Sequence, residues 1–197
     1  MASPPIPWDV ELGKWFESCF PPFEKHHSYA RTSRRQSSTP DFIRPGYINR
    51  EEDLQNRNFR VVIDTSGSVS DKQIGLALGA VASYAVSRDV QMARVVFCDA
   101  RAYDAGYLET EQIAVRVEIT GRGGTVLQPE VTLLEKARDF PADGPILIIT
   151  DGKIEERLII HRKHAYLLPK GKKIRFRPKA PFFILNKVSI QILFPIT

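Results

Sequence analysis

Three short stretches, far apart in the chain, carry oxygen-bearing side chains in a pattern that suits a hard metal ion. The first is VVIDTSGSVS (61–70), in which Asp64, Ser66 and Ser68 alternate after an apolar run. Alternate residues of a tight loop point one way, and Gly67 lets the backbone turn sharply enough for them to converge. The second is GRGGT (121–125), where Gly123 and Gly124 allow the close approach that the Thr125 hydroxyl needs. The third is LIITDG (147–152), which delivers Asp151. Mg²⁺ takes about six oxygens near an octahedron at ~2.1 Å and retains some waters. Two carboxylates and three hydroxyls meet that demand without filling every position. Against a divalent charge they leave the site near neutral, so an open position can accept an outside carboxylate. The plain alternative for Asp64, Ser66 and Ser68 is a strand exit with an Asx-turn and a helix cap. Thr125 and Asp151, each at its own strand end, weigh towards the metal.

Other chemistries find less support. Ser66 lacks the elbow pattern of a hydrolytic nucleophile, and no histidine is placed as its base. GRGGT lacks the lysine of a phosphate-binding loop. The only histidines are His26, His27, His161 and His164, and no His-Glu-x-x-His occurs, so a zinc peptidase has no ligand set here. Cys19 and Cys98 lie far apart without metal-site spacing, and read as reduced, packed thiols. Asp99 and Asp104, near a strand end, read as solvated loop carboxylates.

The elements that must position these loops follow from periodicity. FRVVID (59–64) and GPILIIT (144–150) are continuous apolar runs, the signature of strands buried on both faces. ARVVFCD (93–99) is a third, and RAYDAGYL (101–108) alternates loosely, as an edge strand does. IAVRVEIT (113–120) reads as another short strand. After the first loop, Ser70 and Gln73 are spaced as a capping box, and Ile74, Leu78, Val81 and Ala85 share a helical face. After the second loop, Pro129 sits near a helix start, and Val131, Leu134 and Ala137 share a face. Buried strands alternating with amphipathic helices predict an open, mostly parallel, doubly wound α/β sheet with helices on both faces, whose ligands bind at the carboxyl ends of the strands.

Residues 1–58, rich in Pro, Ser and Arg, read as an extended, partly helical lead-in segment with one helix near Val10–Cys19, and 59–197 as the α/β domain. Within it, two apolar runs flank PKGKK and predict a basic β-hairpin over about 161–185, with VSIQILFPIT (188–197) returning as a last strand. The net charge of +5 is uneven. Ten of the 28 basic residues and none of the 23 acidic ones follow Glu156, so the body carries −5 and the tail +10. Lys170, Lys172, Lys173, Arg175 and Arg177 are therefore candidate contacts to a polyanion, with a solvated edge hairpin as the plain alternative. No run approaches a membrane span, and no charged start leads into an apolar stretch, so a cytoplasmic protein without membrane contact is expected.

DTSGS, GGT and TDG, in this order at strand ends, resemble the metal-ion-dependent adhesion site (MIDAS) of von Willebrand factor A domains. The resemblance implies a Rossmann-like fold, Mg²⁺ or Mn²⁺ contacted by the hydroxyls of Ser66, Ser68 and Thr125, and Asp64 and Asp151 binding directly or through water. RPGY ahead of FRVVIDTSGSVSD, then FCDA, GRGGT and LIITDG, is similar to the A-like carboxy-terminal domain of a bacterial metal-dependent peptidase family. The expected function is protein binding, the ion gripping an acidic side chain of a partner. Relatives often work beside AAA+ ATPases of the MoxR type, which implies that partner class. No catalytic residue is expected. A nucleic-acid-associated module using the basic tail is the alternative, and a metal-dependent hydrolase a weaker third.

Overall fold

The computed structural model describes residues 7–22, 26–32, 45–48, 57–65, 71–98, 103–113, 126–137 and 144–185; of these, 26–32, 45–48, 71 and 103 are described by their backbone alone. The elements are α1 (Trp8–Cys19), β1 (His26–Thr32), β2 (Pro45–Ile48), β3 (Asn58–Asp64), α2 (Asp71–Ser87), β4 (Met92–Cys98), β5 (Tyr103–Glu109), α3 (Gln128–Lys136), β6 (Ile146–Ile149), β7 (His164–Pro169) and β8 (Phe182–Leu185), with a 3₁₀ turn at Thr110–Gln112.

Six strands form one sheet in the order β5-β4-β3-β6-β7-β8, and β1 and β2 form a separate antiparallel pair. β3, β4, β6, β7 and β8 are parallel, while β5 closes one edge antiparallel to β4. Every residue of β3 and of β6 is buried, which is why those runs are apolar without alternation. The chain steps from β3 to β4 in one direction, then returns to β6 on the other side of β3. The crevice between β3 and β6 is thus the topological switch point of the sheet.

Alternation sorts the strands into two cores. Phe59, Val61, Ile63, Leu147, Ile149, Ala165 and Leu167 face α1 and α2. Val62, Ile146, Ile148, Tyr166 and Leu168 face the other way, against Leu134 of α3 and Leu127 just before it. The predicted face of α2, Ile74, Leu78, Val81 and Ala85, is buried in the first core, each large side chain contributing about 1.5–3 kcal/mol. α1 presents Trp8, Leu12, Trp15 and Phe16 to that same core, at the i, i+4, i+7, i+8 spacing of one helical face. Phe16 meets Phe59 edge-on, with ring centroids 5.3 Å apart. Gly13 allows the close contact of α1 with α2, because a Cβ there would come within 2.7 Å of the Tyr84 ring. Lys163 Nζ donates to the Ser18 carbonyl (2.7 Å) and Arg57 to the Pro21 carbonyl, so cations serve the carboxyl end of α1.

One expectation is corrected. The runs flanking PKGKK do form strands, β7 and β8, but they pair in parallel, with Tyr166 opposite Phe182 and Leu168 opposite Ile184. A hairpin would require antiparallel pairing. The twelve residues between them, 170–181, instead carry the chain back across the second face, about the minimum length for a parallel crossover. Connections stepping towards β8 lie on the second face and the β3–β4 connection on the first, as one handedness of crossover requires. The antiparallel β1–β2 pair had no clear alternation in the sequence to announce it. The strand expected at 113–120 lies outside the described residues except for Ile113, and so does the one expected at 188–197. Among the described residues, no helix is long and apolar enough to cross a membrane.

Candidate metal centre

β3 and β6 are paired up to Ile63 and Ile149, so Asp64, the last residue of β3, and Thr150, the first after β6, stand side by side at the carboxyl edge. Asp64 is fully buried, and its Oδ2 accepts a 2.7 Å hydrogen bond from Thr150 Oγ1. The Thr150 hydroxyl oxygen in turn accepts the Gly152 N–H at 3.0 Å. Asp151, 1% exposed, accepts the Lys153 N–H on Oδ1 at 2.9 Å, an Asx-turn that holds its carboxylate. Lys172 Nζ, from the β7–β8 crossover, stands 3.7 Å from Asp151 Oδ2. Gly152 has φ +85, and a Cβ there would lie 2.3 Å from the Lys173 carbonyl oxygen. Only glycine lets the crossover lie on this turn.

The structure therefore places Asp64 and Asp151 at the carboxyl ends of adjoining strands, linked through Thr150, which bonds Asp64 and precedes Asp151. Ser66, Gly67, Ser68, Gly123, Gly124 and Thr125 lie outside the described residues, as does Asp99. Asp104 is in β5, with its carboxylate bonded to Arg94 (2.5 Å and 3.0 Å) and to the Gly106 N–H. Burial opposes its ionisation, but these partners outweigh burial and hold its pKa below the usual range. Cys98 is buried beside the site and packs in the second core.

Three contributors were not singled out from the sequence. Thr150 orients Asp64, and its only local signal is a hydroxyl just before the acid. Glu155 reaches back from the loop after β6 to accept the N–H groups of Leu127 (2.9 Å) and Gln128 (2.7 Å). The amino end of α3, which has no side-chain cap of its own, is thereby held from 28 residues away. Glu130, in the first turn of α3 and 8% exposed, has a buried Oε2 with no hydrogen-bond partner among the described residues.

The electrostatics run one way. Burial, then the carboxylates of Glu130, Asp64 and Glu155, push the Cys98 thiol pKa far up. Burial and then Glu155 push Tyr166 up to about 12. Buried carboxylates are costly unless compensated. Among the described residues no three His, Cys, Asp or Glu side chains cluster as a metal-ligand set; Asp64 and Asp151 are the hard oxygen donors that these residues contribute to the expected site.

An open, mostly parallel six-stranded sheet with helices on both faces is the architecture of a VWA-like α/β domain. Residues 59–157, half of the chain, match the family model described as VWA-like domain (DUF2201), and the chain belongs to that family. Domains of this class often mediate protein interactions. No curated protein matches the chain. Among solved structures it is similar to the ArnB paralog VWA2 from Sulfolobus acidocaldarius, with 16% identity over 66% of this chain and 41% of that one and a TM-score of 0.43. It is also similar to an aerotolerance-related membrane protein from Bacteroides fragilis NCTC 9343, with 12% identity over 59% of this chain and 71% of that one and a TM-score of 0.43. The chain thus spans less than half the length of the first of these.

Proposed function

We propose that the chain is a metal-dependent protein-binding module of the adhesion-site type. Asp64, Ser66, Ser68, Thr125 and Asp151 would hold Mg²⁺ or Mn²⁺, on loops supported by Gly67, Gly123 and Gly124, and an acidic side chain of a partner protein would complete the site. The observation that carries this reading is the placing of two buried carboxylates, Asp64 and Asp151, at the ends of the adjoining strands β3 and β6, at the switch point of the sheet. When bound, such an ion supplies an electrophilic position at which a carboxylate replaces water. The chain's own residues set the geometry: Thr150 orients Asp64, the Asx-turn fixes Asp151, and Glu155 ties the third loop to the helix that follows the second.

Binding is favoured over hydrolysis by where the described histidine side chains lie. His164 begins β7, at the amino edge of the sheet, and His161 is bonded to Glu135 in the last turns of α3. Neither is placed to serve as a general base at the carboxyl edge. An AAA+ ATPase of the MoxR type is the partner class to try first.

Isothermal titration of Mg²⁺ and Mn²⁺ into the wild type and into Asp64→Ala tests the reading, together with partner capture with and without EDTA. Saturable binding that Asp64→Ala weakens at least about tenfold is expected, since a charged ligand is lost. Absence of metal binding with EDTA-insensitive capture would reject the proposal. Turnover of a peptide or phosphoester that Asp151→Ala abolished would replace it with an enzyme.

A further inference from the structure

In the β7–β8 crossover exposed cations alternate with half-buried residues. Lys173, Arg175, Arg177 and Lys179 are exposed, while Ile174, Phe176, Pro178 and Ala180 between them are half-buried. Ile174, Phe176 and Ala180 pack on the second core, and the Phe176 ring meets Tyr166 edge-on at 6.3 Å between centroids. The apolar half anchors the segment, and that anchoring turns the charged half to solvent. A chain spans at most about 3.5 Å per residue, so successive cations stand no more than about 7 Å apart, in a row of at most about 20 Å. Among the described residues none of the four has an acidic partner, and no acidic residue follows Glu156 in the sequence. The row starts at the candidate centre, where Lys172 faces Asp151 and the Lys173 carbonyl lies against Gly152.

We propose that this row is the docking track for an extended acidic segment of the partner protein. One carboxylate of that segment occupies the metal centre, and others, two residues apart, meet Lys173, Arg175, Arg177 and Lys179. Extended chains repeat their side-chain direction every two residues, so an alternating acidic peptide matches the track in period as well as in charge. A peptide fits better than a nucleic acid because Phe176, the one ring among the cations, is committed to Tyr166, and the exposed Phe182 lies past the end of the row rather than interleaved with it, as a base-stacking platform requires. The inference rests on the metal reading above for the position of its first carboxylate.

The test is fluorescence anisotropy with a labelled peptide of alternating Asp and Ser, about ten residues long so that its carboxylates can meet the ion and the four cations together. It is read in Mg²⁺ and in EDTA, for the wild type, Asp64→Ala, the double variant Arg175→Gln/Arg177→Gln, and the quadruple variant that adds Lys173→Gln and Lys179→Gln. Binding should weaken with salt, fall at least about tenfold in the quadruple variant, and fall by a smaller step in the double variant. All four side chains are solvent-facing, and a melting curve confirms that each variant is folded. Undiminished, Mg²⁺-dependent binding by the quadruple variant would overturn the track and leave the metal reading standing. Loss in the quadruple variant with no effect of Mg²⁺ or Asp64→Ala would do the reverse. Tighter binding of an oligo(dT) of similar length at the same salt would overturn the choice of a peptide.

Discussion

At Asp151 the Lys172 ammonium would compete with the proposed divalent ion for one carboxylate. The Lys172 ammonium, one-third exposed and 3.7 Å from a fully buried oxygen, neutralises that charge from within the chain. A divalent ion at the proposed centre has to share or displace it. Lys172→Met should therefore raise Mg²⁺ affinity several-fold in calorimetric titration, and an unchanged affinity would place the ammonium outside the ion's field. Cys98 and Tyr166 make the local field visible as a pH dependence. Their folded pKa values are raised, so the unfolded chain releases the thiol proton first, from about pH 8.5, while the folded chain retains it. The corresponding stability is fully present below that pH and declines above it. Urea denaturation should show stability falling between about pH 8 and 10, with a shallower fall in Cys98→Ala.

The short helix α3 depends on its neighbours. Nine residues are too few for a helix to persist in water unaided, and its own N-cap, Leu127, offers no side-chain oxygen. The segment after β6 supplies what is missing. Glu155 caps the amino end, Gln128 exchanges two side-chain bonds with the Ile159 backbone, and Glu135 accepts from the backbone N–H groups of His161 and Arg162. Glu155→Ala should cost about 1–2 kcal/mol in urea denaturation, the usual range for a lost cap, and Glu155→Gln less. A loss below ~0.3 kcal/mol would show that the cap is dispensable. Pro129, Val131 and Leu134 made this helix legible, but its cap was not, because capping rules search the adjacent residues. The β7–β8 segment misled for a related reason. Two apolar runs around PKGKK look alike whether they return antiparallel or cross over in parallel, and only the anchoring of Ile174 and Phe176 on the second core distinguishes the two.

Across the whole molecule, the matched family region covers 59–157, yet the core extends beyond it at both ends. α1 contributes Trp8, Leu12, Trp15 and Phe16 to the same cluster that holds Phe183 and Leu185 of β8. Phe16→Ala should cost about 3–5 kcal/mol by urea denaturation, the range for a buried aromatic. A cost under about 1 kcal/mol would make α1 a loosely attached segment rather than part of the fold. Local patterning by itself determined much of this protein: the buried strands β3, β4 and β6, the presence of α1, the buried faces of α2 and α3, and the placing of Asp64 and Asp151 at strand ends. These are short-range consequences of side-chain period and of where apolar runs stop. Tertiary structure alone decided the strand order, which sets Asp64 beside Thr150. It also decided the parallel sense of β8, the reach of Glu155 to α3, and the meeting of Lys172 with Asp151. Each of these joins residues distant in the chain, and their partners are selected by packing across the sheet, which no local period encodes.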